Sequence, residues 1–174
     1  MNENKDRYIL KKLLINYDNN WLKVFKSGNS LKSNRSIVLE AVHQEGLILE
    51  YVDDSFKDDL EIVETALTNN GMAFVHVSTQ LQSQKEIVMI AIKQNGLVFK
   101  HISDKYKKDK EIVLEAIRQN GETFKYLPDY FKKDKLVMLE AMKKTDPFWN
   151  APLYEYFSKE FGNDNEFILE AIEA

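Results

Sequence analysis

The chain has 174 residues, of which 44% are hydrophobic and 30% are charged, and its net charge is −4 at pH 7. This composition is typical of one soluble globular domain, and the negative charge argues against bulk attraction to nucleic acid or to an anionic membrane. The absence of cysteine excludes disulfide bonds and thiolate metal sites. We expect a cytoplasmic protein, because no stretch reads as a signal peptide or as a membrane span of about 18 apolar residues.

The same residue types recur along the chain around a regularly spaced alanine. These alanines stand 25 residues apart except for a last step of 30, at Ala41, Ala66, Ala91, Ala116, Ala141 and Ala171. Valine, methionine or isoleucine stands three positions before each alanine, and Asp, Asn or Gln stands seven positions before it. Glycine follows the first four alanines by five positions. A fixed period with this many matched positions predicts a fold of stacked repeats.

The copies divide the predicted domain, a single α-helical repeat domain over residues 1–174, into three parts. Residues 1–33 hold a degraded N-terminal copy, in which leucine and tryptophan take the places of the alanine and of a later aromatic residue. Residues 34–144 hold the regular repeats. Residues 145–174 hold an irregular copy, in which a proline-flanked segment replaces the usual Asn-Gly pair.

The copy at residues 109–131 shows the local structure that we expect of each regular repeat. Asp109 is a typical N-cap residue, which can accept hydrogen bonds from the free amides of the first helical turn. One helical face is then formed by the apolar residues Ile112, Val113, Ala116 and Ile117. Asn120 and Gly121 predict the end of this helix, with glycine in the left-handed conformation. A second, shorter helix is predicted by the apolar residues Phe124, Leu127 and Phe131.

These features together predict an all-α fold, an α-solenoid with a right-handed superhelix built from ~25-residue two-helix repeats. The alanine at the centre of each buried face is expected to let neighbouring helices approach closely. The final apolar face has no second helix of its own to cover it, and is formed by Phe167, Ile168, Ala171 and Ile172. We expect either that the repeats continue in a longer protein or that this C-terminal face self-associates or meets a partner.

The phrase Lys-Glu-Ile-Val-Leu-Glu-Ala-Ile-Arg-Gln-Asn-Gly at residues 110–121 resembles the tandem-repeat family catalogued as domain of unknown function 4116. Residues 85–96 repeat the phrase with few changes, and the resemblance covers residues 34–144. Thr65 and Ile90 depart from it, since glutamate is usual at their position. The resemblance implies a repeat fold, and it implies no activity, cofactor or functional residue.

Candidate binding residues are sought where the copies differ, because no stretch matches a catalytic or cofactor-binding motif. We therefore expect no catalytic residue, no metal site and no cofactor. One repeat position holds the polar-tipped rings of Tyr51, His76, His101 and Tyr126. Apolar residues replace charged or polar ones at Leu60, Val75 and Ile90. Each set also has a structural interpretation, as half-buried polar-tipped side chains and as partly buried positions.

Three functions fit the sequence. The first is a non-catalytic scaffold that binds an unidentified protein, which the repeats and the lack of catalytic motifs indicate. The second is a nucleic-acid-binding helical repeat protein that uses the Lys-rich band of residues 100–144. It is less favoured, because these lysines fall in turns, where solvated charge is common. The third is an enzyme with a site of unfamiliar form, and we expect no enzymatic activity.

Overall fold

The computed structural model describes residues 3–16, 20–27, 30–144 and 151–173, and over these ranges the chain folds into helices joined by short turns. The α-helices are α1 (Glu3–Asn16), α2 (Trp21–Lys26), α3 (Arg35–Gln44), α4 (Leu60–Asn69), α5 (Thr79–Gln82), α6 (Lys85–Gln94), α7 (Asp104–Lys107), α8 (Lys110–Gln119), α9 (Asp129–Lys132), α10 (Lys135–Lys143), α11 (Ala151–Phe161) and α12 (Asn165–Glu173). The predicted all-α class is confirmed.

Short 3₁₀ helices follow or precede the longer α-helices, at Ser30–Ser33, Gly46–Tyr51, Asp54–Asp58, Gly71–His76, Gly96–His101 and Gly121–Tyr126. Most regular repeats therefore hold three helical segments rather than the predicted two: a long α-helix, a 3₁₀ helix and an α-helix of one turn. The second segment divides because Leu127 is extended, with φ −69° and ψ 146°, before α9 begins. Much of the proline-flanked connection lies outside the described residues, at 145–150.

The chain forms two compact units, Met1–Gln94 and Asn95–Ala174. In the first unit, α3 packs against α4 and α4 packs against α6. In the second unit, α8 packs against α10 and α10 contacts α12. Consecutive repeats are therefore neighbours within each unit, as expected for stacked repeats.

The core of each unit is formed by the same face of every long helix. In α8 this face is fully buried, with no exposed surface on Ile112, Val113, Ala116 and Ile117. The repeated alanines from Ala41 to Ala141 are also fully buried. This confirms the predicted face and its small central residue. At the C-terminus, the Phe167 side chain of α12 is buried by aromatic packing, since its ring lies 4.8 Å from that of Phe161.

Side-chain caps begin the long helices where the sequence places Asp or Asn. The Asp109 carboxylate accepts from the Glu111 amide at 3.0 Å. Equivalent bonds at 3.1–3.3 Å join the Ile37 amide to Asn34, Ile62 to Asp59, Val137 to Asp134 and Phe167 to Asp164. The predicted capping role is confirmed, because each bond satisfies an amide that has no partner within its helix.

The Asn-Gly pair ends each helix differently from the prediction. Asn120 is extended, with φ −153°, and its side chain accepts from the Glu122 amide and so caps the following 3₁₀ helix. Gly46 and Gly96 do not adopt the left-handed conformation. A Cβ atom on either glycine would overlap the carbonyl oxygen of the alanine in the next repeat, Ala66 or Ala116. Glycine is needed there because two repeats approach closely.

Candidate interaction groove

A side-chain amide two positions before the glycine joins one repeat to the preceding one. Asn69 Oδ1 accepts from the Gly46 amide at 2.7 Å, and Asn69 Nδ2 donates to the His43 carbonyl at 2.9 Å. Gln94 repeats the arrangement, accepting from the Gly71 amide at 2.6 Å and donating to the Asn69 carbonyl at 3.2 Å. These bonds give the Gln-Asn-Gly phrase a structural role that the sequence analysis missed.

Ion pairs also join neighbouring repeats at recurring positions. The first residue of a long helix pairs with the cap residue of the next repeat, as Arg35 does with Asp59 at 2.8 Å. Lys110 and Lys135 pair in the same way with Asp134 and Asp164. The Arg35 guanidinium is the main reason why the pKa of Asp59 lies below its usual value. The basic residue in the first turn of these helices thus joins one repeat to the next.

A second inter-repeat pair is formed along the helices of the second unit. Arg118 Nε on α8 lies 2.8 Å from Glu140 Oε2 on α10. The Glu140 carboxylate is the main cause of the raised pKa of Arg118. In the repeat register, the equivalent residues on α3 and α4 are His43 and Thr65. These side chains cannot form that ion pair, so the first unit lacks the bridge at this place.

An open groove lies between α3 and α4 where the bridge is missing. One part, of about 340 Å³, is lined by His43, Glu64, Thr65, Thr68 and Asn69. The adjoining part, of about 420 Å³, shares His43 and Thr65 and is lined further by Arg7, Ser36, Leu39, Glu40 and Glu61. The Thr65 hydroxyl donates to the Glu61 carbonyl at 2.7 Å and so does not fill this space.

Carboxylates dominate the charge of this groove. Glu61 already pairs with Arg35 at 2.5 Å. For Glu40 and Glu64, no ion pair is found among the described residues. Arg7 supplies a positive charge to the larger part of the groove only. In the smaller part, the unpaired Glu64 carboxylate therefore lies beside polar side chains, an arrangement that can accept hydrogen bonds from a cationic group.

The predicted ring position lies at the end of the four longer 3₁₀ helices. In the first unit, Lys26 lies over the Tyr51 ring at 5.3 Å, and His76 Nε2 lies 4.0 Å from Glu50. In the second unit, His101 is exposed, and Lys125 lies over the Tyr126 ring at 5.1 Å. Burial is the main cause that lowers the pKa of both His76 and His101. All four rings reach solvent in part, and their binding role stays a prediction.

The three apolar departures occupy three different places in the repeat. Leu60 begins α4 and is 49% exposed, Val75 lies in a 3₁₀ helix and is 43% exposed, and Ile90 is half-buried within α6. Leu60 and Ile90 differ by five positions in the repeat register, which corresponds to about 140° around a helix. They therefore point from different sides of their helices. Their role in binding stays a prediction.

Most cations of the Lys-rich band lie beside carboxylates. Arg118 pairs with Glu140, and six lysines also form ion pairs: Lys107, Lys110, Lys125, Lys132, Lys133 and Lys135. Each pair neutralises a charge that a phosphate contact would need. Nothing in this geometry favours the nucleic-acid hypothesis.

Three further findings concern the described part of the chain. No three His, Asp or Glu side chains within it are placed to hold a metal ion. Among its helices, none combines the length and the apolar character that crossing a membrane requires. At the C-terminal face, Leu169 and Ile172 are 62% and 76% exposed, whereas Ile168 and Ala171 are half-buried.

The groove was missed in the sequence analysis, although one signal pointed to it. Thr65 departs from the glutamate that is usual at its position. Whether this threonine leaves a groove depends on His43, which lies 22 residues earlier in the sequence. The two side chains face each other only when the repeats stack. His43 was not a candidate, because a lone histidine in the sequence indicates no partner.

Comparison with known proteins supports the repeat interpretation. Four overlapping stretches match the family model described as Domain of unknown function (DUF4116), at residues 6–57, 34–82, 84–132 and 109–147. The first match includes most of the degraded N-terminal copy at residues 1–33. No curated protein and no solved structure matches the chain.

Proposed function

Because this chain belongs to the family described as Domain of unknown function (DUF4116), we propose that it is a non-catalytic scaffold whose variable surface positions bind another protein. The observation that carries this proposal is the contrast between repeated and variable positions. Repeated residues cap helices, bridge repeats or fill the core, as Asp59, Gln94 and Ala116 do. The variable rings at Tyr126 and its equivalents reach solvent instead.

A right-handed solenoid is the architecture that we infer for the stacked repeats. Its support is the recurrence of the same bonds between consecutive repeats in each unit, such as Arg35 with Asp59 and Lys110 with Asp134. Stacked repeats of this kind form extended surfaces suited to partners. Small-angle X-ray scattering tests the inference, since a solenoid has a larger maximum dimension than a sphere of equal mass. A spherical scattering profile would contradict it.

The non-catalytic character of the proposed scaffold rests on what the acidic residues already do. Asp59, Asp134 and Asp164 cap helices and pair with cations, and Glu140 pairs with Arg118. Carboxylates held in this way are poor candidates for acid–base catalysis. The nucleic-acid alternative gains no support from the paired lysines. The cytoplasmic location and self-association through the C-terminal face stay predictions.

Affinity capture from native cell extract tests the scaffold function. Wild-type chain is compared with Tyr126→Ala and Ile90→Glu, and Lys108→Ala serves as the control because this exposed lysine belongs to neither candidate set. We expect a protein that wild type and Lys108→Ala retain and that at least one surface variant loses. The purified partner should then bind the chain directly. Failure to capture any protein would overturn the scaffold function, and retention by both variants would exclude these two positions.

A further inference from the structure

The groove between α3 and α4 marks a place where a guanidinium is bound elsewhere in the same fold. In the second unit, the Glu140 carboxylate on α10 holds the guanidinium of Arg118, which is supplied by the preceding long helix. Glu40 stands at the same repeat position as Glu140, on α3. The position equivalent to Arg118 in the preceding helix is taken by Ile15, which is 65% exposed. Glu40 is therefore a carboxylate of this type that has no ion pair among the described residues, although Arg7 on α1 lines the same part of the groove.

The pair formed by α3 and α4 also leaves the groove beside Glu40 open. Between α3 and α4, His43 and Thr65 replace the arginine and the glutamate, so no bridge closes the groove above Glu40. Glu64 adds a second carboxylate in the smaller part of the groove, which shares His43 and Thr65 with the larger part. Asn69 is fixed by its bonds to the Gly46 amide and the His43 carbonyl, which holds this wall in place.

The charge of the groove agrees with a cationic occupant, because Glu40 and Glu64 outnumber Arg7 there while Glu61 is already paired with Arg35. Between Glu40 and Glu64 the acids outnumber the single base, Lys57, and include Glu45, Glu50, Asp53, Asp54, Asp58, Asp59 and Glu61. Lys57 is itself paired with Asp54 at 2.8 Å. An arginine fits better than a lysine, because its planar fork can bond two acceptors at once and can stack on an imidazole ring.

We propose that the groove binds an arginine side chain of a partner protein, whose guanidinium pairs with Glu40 and lies against His43. The inference rests on the proposed scaffold function and names the chemistry of its partner: an arginine-bearing segment. The partner supplies from outside the cation that Arg118 supplies to Glu140 within the second unit. The segment crosses the groove between α3 and α4, where Thr65 leaves room for it.

Fluorescence anisotropy with defined peptides tests this proposal. The probe is a short fluorescein-labelled peptide that alternates arginine and glycine, and matched peptides carry lysine or glutamate in place of arginine. We expect the arginine peptide to bind more tightly than the lysine peptide and the glutamate peptide not to bind. Glu40→Gln should weaken binding about tenfold, as expected for the loss of one charge-assisted hydrogen bond. Glu86→Gln, on α6 and outside the groove, removes the same charge and should leave binding unchanged.

A double variant, His43→Arg with Thr65→Glu, closes the groove by rebuilding the pair found at Arg118 and Glu140. It should bind the arginine peptide at least tenfold more weakly while its circular dichroism spectrum and unfolding midpoint stay at or above those of wild type. Equal weakening by Glu40→Gln and Glu86→Gln would overturn the proposal, since only bulk charge would then matter. Absence of peptide binding would also overturn it, while partner capture by the same chain would leave the scaffold function standing.

Discussion

At the scale of single residues, the repeated glycine illustrates how a neighbour in space decides what the local sequence requires. The Asn-Gly pair is typical of a helix end with left-handed glycine. In this fold, Asn95 is extended, and Gly96 instead makes room for the next repeat. A Cβ atom on Gly96 would overlap the Ala116 carbonyl oxygen and approach the Asn120 amide nitrogen to 3.1 Å. The restriction is therefore steric and not torsional.

Substitution of Gly96 distinguishes these two causes. Gly96→Ala should lower the free energy of unfolding by about 1–3 kcal/mol, because the added methyl group must push back a backbone carbonyl. Gly96→Asn should cost at least as much, since asparagine also carries a Cβ atom. Urea unfolding followed by circular dichroism measures both, with Lys100→Ala on the same 3₁₀ helix as the control. A left-handed glycine would instead make asparagine the milder substitution.

The two histidines of the ring position predict a pH dependence of stability. Burial is the first cause that lowers the pKa of His76, and Lys57 adds to it while Glu50 opposes it. The folded-state pKa then lies below the unfolded value of about 6.5, so the unfolded chain binds the proton more readily. His101, lowered by burial and by Lys100 and Lys107, acts in the same direction.

Stability should therefore fall as the pH decreases from 7 through the unfolded-state pKa of histidine. Urea unfolding across this range measures the effect, and the double variant His76→Gln with His101→Gln should show a smaller decrease than wild type. Carboxylates contribute at lower pH, because the pKa values of Asp59 and Asp164 are lowered and their stabilisation is lost only in acid. An equal decrease in the double variant would show that the histidines do not titrate in this way.

At the scale of helices, ion pairs recur at equivalent repeat positions both within a helical segment, as for Asp104 with Lys107, and between repeats. Arg118 on α8 bonds Glu140 on the next long helix, α10. The pair Arg35 with Asp59 likewise joins two helices. Leu60 breaks this series, and the equivalent of the partner acid is then Gln84, which carries no charge. The apolar departure at Leu60 thus accompanies the loss of its partner.

Restoring both charges should restore the missing bridge between α4 and α6. In a double-mutant cycle of Leu60→Lys and Gln84→Asp, the coupling energy should be about 0.2–1 kcal/mol in favour of folding, as for other exposed ion pairs. The cycle removes the separate effect of a better N-cap at residue 84. The coupling should shrink at high salt. A coupling of zero at low salt would mean that these two positions do not face each other as Arg35 and Asp59 do.

At the scale of the whole molecule, the sequence predicts the structural features that recur within each repeat, but it does not predict the contacts that form between two repeats. The all-α class, the buried face and the caps at Asp59 or Asp109 could be predicted, because each follows from spacing within one helix. The bridge from Asn69 to Gly46 and the groove beside Thr65 could not, since their partners lie more than twenty residues apart and meet only in the stack. The candidate site is a place where a contact between repeats is missing. Such a place cannot be recognised from the sequence of one repeat alone.

Stacking also predicts how a local defect spreads. Ala66→Leu and Ala116→Leu place a larger side chain at equivalent buried positions and should each cost roughly 1–3 kcal/mol. Because a repeat contacts mainly its neighbours, the loss of order should stay close to the substituted helix. Hydrogen exchange should accelerate most in α4 and Gly46–Tyr51 for the first variant, and in α8 and Gly96–His101 for the second, since these elements contact each other.

Each alanine variant serves as the control for the other, because the chemical change and the repeat position are the same. Exchange measured by mass spectrometry resolves the affected segments without a binding partner. A uniform increase along the chain in both variants would mean that the repeats open as one cooperative block. Local and complementary increases would mean that the groove between α3 and α4 can respond to a partner while the second unit keeps its order. That independence is what a scaffold built from repeats requires if different surfaces are to bind separately.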